Sequence, residues 1–278
     1  MLSQNNELKS TTSTLSVKNP ELLAILERIK SKPRVVKVIE IKKEPADGIF
    51  CDRCDSTGWV LREDGMSPCQ DCYEKRMAVR RLKNSGVNPD DYKKYSLDKF
   101  DGTRNETAKW MKDTAVQWLK QHKPNGVGFG VFGQSGMGKT HICIGLCLKL
   151  TEELHEPHYY FSYRAEMPNL FKAARGFKED YEAAMEKWKT CRNLYIDDLF
   201  KLAGHVENGK VVGVDRDELR IVFDLINARC LNHLTTLFSS ELTLEDIIEI
   251  DQATGSRIFE MCKGFCVNVK GENQRMKE

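Results

Sequence analysis

The 278-residue sequence has no uninterrupted apolar run near the ~18 residues that a membrane-spanning helix needs. Its first twenty residues are rich in Ser, Thr and Asn and lack the apolar stretch of a secretory signal peptide. The sequence also lacks a large excess of positive or negative charge. Its 43 Lys and Arg residues nearly balance its 41 Asp and Glu residues, which gives a net charge of +2. A net charge this small does not by itself indicate a nucleic-acid-binding protein, so any DNA contact must come from local patches. We expect a cytoplasmic protein without a membrane segment.

Ten cysteines are present, and without an export signal we expect them to stay reduced. Cys51-x₂-Cys54 and Cys69-x₂-Cys72 are separated by fourteen residues. Each pair bends the chain so that two thiolates reach one metal ion, and two pairs complete a tetrahedral Zn²⁺ site. Four thiolates leave no open coordination position, which indicates a structural site. A redox pair or unlinked thiols are the alternatives.

The strongest motif is a glycine loop at residues 133–140, GQSGMGKT, which fits G-x-x-x-x-G-K-[ST]. Several backbone N–H groups must converge on phosphate oxygens, and glycines permit the tight turns that this requires. Lys139 is expected to reach the β and γ phosphates of ATP, and the Thr140 hydroxyl to bind Mg²⁺. The predicted nucleotide ligands in the loop are Gly133, Gln134, Ser135, Gly136, Met137, Gly138, Lys139 and Thr140.

A second acidic motif follows a short apolar segment at residues 194–196. Asp197 and Asp198 end what we predict to be a buried strand, and buried carboxylates are costly unless their charge is satisfied. A magnesium ion satisfies it, with Asp197 on the metal and Asp198 orienting or deprotonating the attacking water. The alternative is a strand that ends in an Asp turn or a helix cap.

The pattern of apolar residues alternates between helices and strands from about residue 105, which predicts a parallel sheet covered by helices. Predicted helices cover residues 107–121, 139–154, 166–190 with a break near Gly176, 215–231 with an Asp215–Glu218 capping box, and 247–262. Predicted strands cover residues 128–132, 158–163, 194–196, 235–238 and 265–269. A strand at 58–61 with an Asp64–Gly65 turn predicts a hairpin between the cysteine pairs.

A basic helix is predicted over residues 73–83, with Arg76, Arg80 and Lys83 along one face. These side chains can contact phosphates or an acidic partner. A solvated helix face is the alternative, and we favour it.

The order of these motifs resembles the DnaC/DnaI-type replicative helicase loaders, in particular phage-encoded, IstB-like versions. The resemblance covers nearly the whole chain from about residue 48. It rests on the Cys51/Cys54/Cys69/Cys72 unit and on KNSG (83–86), GQSGMGKTH (133–141), YIDDLFK (195–201), INAR (226–229), SSELT (239–243) and GSRIFEM (255–261).

The resemblance implies three parts: a flexible segment with a short helix at 1–47, a zinc-binding helicase-interaction module at 48–85, and an AAA+ ATPase domain at 86–278. It implies a bacterial, phage-type protein that uses ATP to bind a hexameric replicative helicase and place it on single-stranded DNA. Self-association through AAA+ interfaces is also implied.

Site residues carry over from the resemblance as well. His141 joins the nucleotide ligands as part of the GQSGMGKTH segment. Arg257 matches an arginine near the trans-acting finger that reaches a neighbour's γ-phosphate, and Arg275 resembles the sensor arginine that touches the nucleotide in cis. Two positions depart from the family: Met261 replaces a second arginine, and Glu241 stands where relatives carry a neutral amide, so we assign sensor 1 to Ser240.

Two other functions compete with the loader. An ATP-gated, IstB-like DNA-binding helper of a transposase is the first, although such helpers usually lack a zinc module. A small-molecule P-loop kinase is the second, and the absence of an arginine-rich lid between residues 165 and 192 disfavours it.

Overall fold

The computed structural model describes residues 44–207, 210–271 and 273. The short helix predicted within residues 1–47, at residues 20–30, lies outside the described residues, as does Arg275. From Pro45 onward the chain forms one compact unit, Pro45–Glu278. Among the described residues, none of the helices has the length and apolar character that crossing a bilayer demands.

The cysteine-rich unit contains an antiparallel hairpin of β1 (Trp59–Arg62) and β2 (Gly65–Pro68), followed by helix α1 (Tyr73–Asn84). Arg62 pairs with Gly65, so the two-residue turn is Glu63–Asp64 and lies one residue before the predicted position. Helix α1 confirms the predicted basic helix and its end at the KNSG segment.

Two helices precede the central sheet, α2 (Pro89–Lys94) and α3 (Glu106–Gln121). Asn88 and Asn105 cap them by accepting hydrogen bonds from backbone N–H groups of the first turn. The later elements are β3 (Phe129–Gly133), α4 (Lys139–Glu152), β4 (His158–Ser162), α5 (Tyr163–Ala174), α6 (Lys178–Thr190), β5 (Asn193–Asp197), β6 (His205–Glu207), β7 (Lys210–Val212), α7 (Arg216–Leu231), β8 (Thr236–Ser240), α8 (Leu244–Ile250), α9 (Gln252–Met261) and β9 (Cys266–Val269).

The central sheet has five parallel strands in the order β4-β5-β8-β3-β9. Strand β8 lies between β3, which leads into the glycine loop, and β5, which ends at Asp197. The carboxyl ends of these three strands therefore meet at one edge of the sheet, where ligands bind in open α/β folds.

Alternate side chains of the strands enter two separate cores, as the period of a β-strand requires. One core packs the sheet against α3 and α4, and the other packs it against α5–α9. The first core takes Val131, Tyr195 and Leu237 from the strands, and the second takes Phe132, Ile196 and Phe238. Both faces of the sheet are covered, which confirms the predicted layered α/β architecture.

Two local predictions are wrong. The helix predicted at 247–262 is split into α8 and α9, because Asp251 is extended at φ −149° and ψ 104° and caps α9 through the Thr254 N–H. The capping box at α7 is half formed: Asp215 accepts from the Glu218 N–H, but the Glu218 carboxylate accepts a hydrogen bond from Tyr163 instead. The segment 201–214, which had no predicted structure, contains the antiparallel hairpin of β6 and β7.

Candidate nucleotide site and cysteine centre

The glycine loop joins β3 to α4 and has the backbone conformation that its glycines permit. Gly133, Gly136 and Gly138 have φ values of 109°, 79° and 92°, in the region that side chains with a Cβ rarely adopt. A Cβ on Gly133 would also lie 2.3 Å from the Val269 carbonyl oxygen. Helix α4 begins at Lys139, so its N-terminal N–H groups face the loop. This arrangement suits a phosphate group.

The Lys139 side chain lies within the loop. Its ammonium donates hydrogen bonds to the carbonyl oxygens of Gly133 at 2.8 Å and Gln134 at 2.9 Å. The side chain is buried, so the cation is held inside the ring of backbone groups. A lysine placed there can pair with phosphate oxygens that the same backbone surrounds.

Asp197 is buried at the end of β5 and is satisfied by hydroxyl groups. Its carboxylate accepts hydrogen bonds from Tyr160 at 2.8 Å, from Ser239 at 2.6 Å and from the Tyr195 hydroxyl. The Thr140 hydroxyl donates to the same carboxylate at 3.3 Å. Thr140 and Asp197 are therefore adjacent, as a shared magnesium ion requires, and this oxygen set is one that Mg²⁺ accepts.

The Tyr160 ring packs against the first core, while its hydroxyl donates to Asp197. Burial and the nearby Asp197 raise the pKa of Tyr160, so its hydroxyl stays protonated as a donor.

Asp198 follows immediately and occupies a different position. Its backbone has φ 56°, and its N–H donates to the Ser239 hydroxyl at 3.1 Å. Its side chain is part of the wall of an open cleft of about 420 Å³. Asp197 thus sits in the sheet while Asp198 faces the cleft, which fits the separate metal and water roles predicted for them.

The cleft brings together most of the predicted nucleotide ligands and several side chains that no motif indicated. Its lining residues are Lys94, Tyr95, Arg104, Ser135, Gly136, Gly138, Lys139, Thr140, His141, Asp198 and Glu241. His141 donates from Nε2 to the Ser96 carbonyl at 2.9 Å and packs edge-on against Phe100. Burial lowers the pKa of His141, which favours its neutral form.

Arg104 is a cation of the cleft that the sequence analysis missed. Its guanidinium donates to the Met137 carbonyl at 2.6 Å and lies 4.8 Å from the centre of the Phe100 ring. It reaches the glycine loop from the segment before α3, and no sequence spacing relates the two. Only the packing of Phe100 into the core beside α4 brings them together.

The sensor-1 segment ends β8. Ser240 is fully buried and donates its hydroxyl to the Leu199 carbonyl at 2.6 Å, so it supports the loop after Asp198 and does not line the cleft. Glu241 does line the cleft. Burial raises the pKa of Glu241, but the hydrogen bond from Ser135 and the interaction with Lys201 lower it by more. The net effect is a lowered pKa, so the carboxylate stays ionised.

Arg257 lies outside this cleft, on α9. Its Nε donates to Asn227 Oδ1 at 2.7 Å, its Nη1 donates to the Ala253 carbonyl at 2.9 Å, and its guanidinium lies 4.7 Å from the Phe223 ring centre. An amide, a carbonyl and an aromatic ring thus hold the side chain in place. Its role toward a neighbouring subunit stays a prediction.

The four cysteines of the N-terminal unit converge, as their spacing predicts. All four Sγ atoms lie within 4.8 Å of one another, with Cys51–Cys69 and Cys54–Cys72 separations of 3.7 Å. Tetrahedral ligands at about 2.3 Å from Zn²⁺ lie about 3.8 Å apart. The cluster therefore has the size of a zinc site.

Arg76 of α1 supports this cluster. Its Nε donates to Cys72 Sγ at 3.2 Å, while its Nη2 donates to the carbonyls of Ile49 and Ser56, each at 2.9 Å. Asp47 completes its contacts through an ion pair. Such groups around metal ligands orient them and stabilise the thiolates. Arg76 is therefore not the solvated side chain that we favoured for this helix.

No protein-family model matches the chain. A curated relative is the phage-like element PBSX protein XkdC of Bacillus subtilis (strain 168), 28% identical over 265 residues that span 89% of this chain and 92% of that protein. The uncharacterized protein YqaM of the same strain is 28% identical over 237 residues, which span 82% of this chain and 71% of YqaM.

The solved structures that are similar include DnaI, with a TM-score of 0.51 at 18% identity, over 68% of this chain and 95% of that one. The DnaC helicase loader has a TM-score of 0.50 at 17% identity, over 64% of this chain and 98% of that one. The replication initiator DnaA, bound to AMPPCP and single-stranded DNA, has a TM-score of 0.51 at 17% identity, over 68% of this chain and 52% of that one.

These similarities define the fold. The predicted resemblance to helicase loaders is confirmed at that level, and so is the predicted α/β fold class: a parallel sheet covered by helices, with a glycine loop after β3, joined to an N-terminal unit with a four-cysteine cluster.

Proposed function

We propose that the chain is a phage-type, ATP-dependent loader that binds a hexameric replicative DNA helicase and delivers it onto single-stranded DNA. The observation that carries the proposal is the combination, in one compact unit, of a glycine-loop nucleotide cleft with a four-cysteine module. The fold shared with DnaI, DnaC and DnaA supports it, as does the similarity to a protein of a phage-like element.

The nucleotide part of the proposal follows from the cleft. Lys139 and the loop N–H groups bind the phosphates, and Thr140 and Asp197 hold Mg²⁺. A magnesium ion bound there would supply positive charge beside the phosphates. Asp198, which faces the cleft, orients the attacking water and accepts its proton. We expect ATP hydrolysis by this chain to be slow and to determine when the helicase is released.

The partner contact is assigned to the cysteine module. The hairpin presents Trp59, Leu61 and Met66 to solvent with exposed fractions of 51%, 79% and 62%. Leu61 and Met66 are paired across the strands, so their side chains share one face. Exposed apolar side chains grouped on a small rigid unit are typical of a protein interface. We assign this face to the helicase.

Self-association completes the scheme. Arg257 is fixed on α9 away from the cleft of its own subunit, where it can serve the nucleotide of a neighbour. An arginine supplied in trans stabilises charge that develops in the transition state.

Mass measurement of the protein mixed with the replicative helicase of its host, with and without ATP, tests the proposal. A complex of helicase hexamer and loader that forms with ATP supports it. Capture of a transposase in place of the helicase, in pull-downs from the same host, would indicate the IstB-like alternative.

A further inference from the structure

Lys201 connects the two carboxylates that line the phosphate end of the cleft. Its ammonium lies 2.7 Å from Asp198 Oδ2 and 3.2 Å from Glu241 Oε1. Asp198 follows β5 and Glu241 follows β8, so one lysine bridges the ends of two neighbouring strands. The three side chains are 26% to 35% exposed, and two of them, Asp198 and Glu241, form part of the cleft wall.

Lys201 compensates a negative charge that would otherwise weaken triphosphate binding in this region. A carboxylate next to the triphosphate-binding position repels the negatively charged triphosphate. Glu241 carries such a charge, whereas a neutral side chain at this position would not. Glu241 is ionised, because Ser135 and Lys201 together lower its pKa more than burial raises it. One ammonium within hydrogen-bond distance of both carboxylates cancels the added charge and restricts both side chains.

We propose that Lys201 is a positioning residue of the nucleotide site, which neutralises Glu241 so that the triphosphate can bind and fixes Asp198 for its action on water. The inference rests on the proposed ATPase site but not on the helicase partner. It explains how a carboxylate is tolerated in the sensor-1 segment.

The two proposed roles of Lys201, neutralising Glu241 and fixing Asp198, predict different effects of substitutions. Lys201→Met leaves Glu241 without its cation, so we expect Mg·ATP affinity to fall about tenfold and kcat to fall at least as much. Adding Glu241→Gln removes the repulsion, so the double variant should regain an affinity within about threefold of the parent. Its kcat should stay low, since Asp198 still lacks its partner. Lys201→Arg keeps the charge and should retain both affinity and most of the turnover.

The experiment measures fluorescent-ATP binding and single-turnover hydrolysis for the four proteins, with thermal melting to confirm folding. Lys178→Met, on the exposed start of α6, is the matched control and should behave like the parent. No helicase is used, so failure of the loader proposal would leave the result unaffected.

Recovery of affinity without turnover in the double variant supports the assignment. Equal loss of affinity in the single and double variants would show that Lys201 does not act through Glu241. Unchanged binding and turnover in Lys201→Met, or a parent protein that does not bind Mg·ATP, would also overturn it.

Discussion

The carbonyl oxygen of Ser85 accepts a 2.8 Å hydrogen bond from the backbone N–H of Tyr160 on the edge strand β4. Ser85 follows α1 and is fully buried. Its hydroxyl lies 2.7 Å from the Tyr92 hydroxyl, which in turn lies 2.6 Å from His158 Nε2. The end of the cysteine module's helix is therefore built into the core beside the strand whose Tyr160 also binds Asp197.

This contact changes how the two parts should be separated. A fragment of residues 86–278 loses Ser85 and the packing of Leu82 against the core, whereas a fragment of 80–278 keeps both. We expect the shorter fragment to be less stable by about 1–3 kcal/mol, because a buried pairing at a sheet edge is lost. Urea unfolding of the two fragments measures the difference. Both fragments should bind ATP, and equal stability would contradict the contact's role.

Replacing Cys51 and Cys54 by Ser should unfold the cysteine module and leave nucleotide binding nearly intact. A module this small cannot bury enough apolar surface to fold alone, so metal ligation supplies much of its folding energy. Metal analysis and fluorescent-ATP titration check the two halves of the prediction. Cys230→Ser is the control, since Cys230 lies on α7 outside the cluster. Absence of stoichiometric zinc in the parent protein would contradict the metal site.

Arg76→Met should weaken zinc binding about 10- to 100-fold, the usual cost of removing a group that supports metal ligands. The reason is that Arg76 donates to Cys72 Sγ and also ties Ile49 and Ser56 into the module. Competition with a chelator gives the affinity. Arg80→Met removes an exposed charge from the same helix and should have no effect. Equal behaviour of the two variants would show that Arg76 is dispensable.

Lys139→Ala should abolish ATP hydrolysis, while Asp198→Asn should keep ATP binding and stop turnover. Lys139 is held inside the phosphate loop, whereas Asp198 faces the cleft and acts mainly on water. Fluorescent-ATP titration and phosphate release distinguish the two. A similar loss of affinity in both variants would count against these separate roles.

Arg257→Ala should barely change ATP affinity in the monomer but lower hydrolysis in the assembled state, by as much as several powers of ten for a true finger. The side chain is fixed by Asn227 and lies outside its own cleft. Hydrolysis measured across a concentration series checks the dependence on assembly. Weaker ATP binding by the isolated variant would indicate a cis role instead.

The sequence predicted the features that depend on local spacing. The glycine loop, the paired aspartates at the end of β5 and the two cysteine pairs each form where their motifs place them. Contacts between distant segments were not predictable in this way. Arg104 meets Met137 because Phe100 packs into the core beside α4, and Lys201 meets Glu241 because β5 and β8 are neighbours in the sheet.

Errors in the elements have similar causes. Apolar residues recur at helical spacing throughout residues 247–262, which predicts one helix. The helix is interrupted at Asp251, because the Asp251 carboxylate caps α9. Glu218 has the spacing of a capping box, but the buried face of α5 offers it the Tyr163 hydroxyl. In both cases a side-chain hydrogen bond produces a local structure that differs from the one the residue spacing predicts.

The central claim is that ATP binding by this chain delivers a helicase onto DNA, and loading onto circular single-stranded DNA tests it most directly. A closed hexameric ring cannot thread onto a circle without being opened, so stable retention requires a loader. We predict that the parent protein with ATP increases the amount of host helicase retained on the circles, and that Lys139→Ala does not. Retention that is equal with the parent, with Lys139→Ala and with no added protein would contradict the claim.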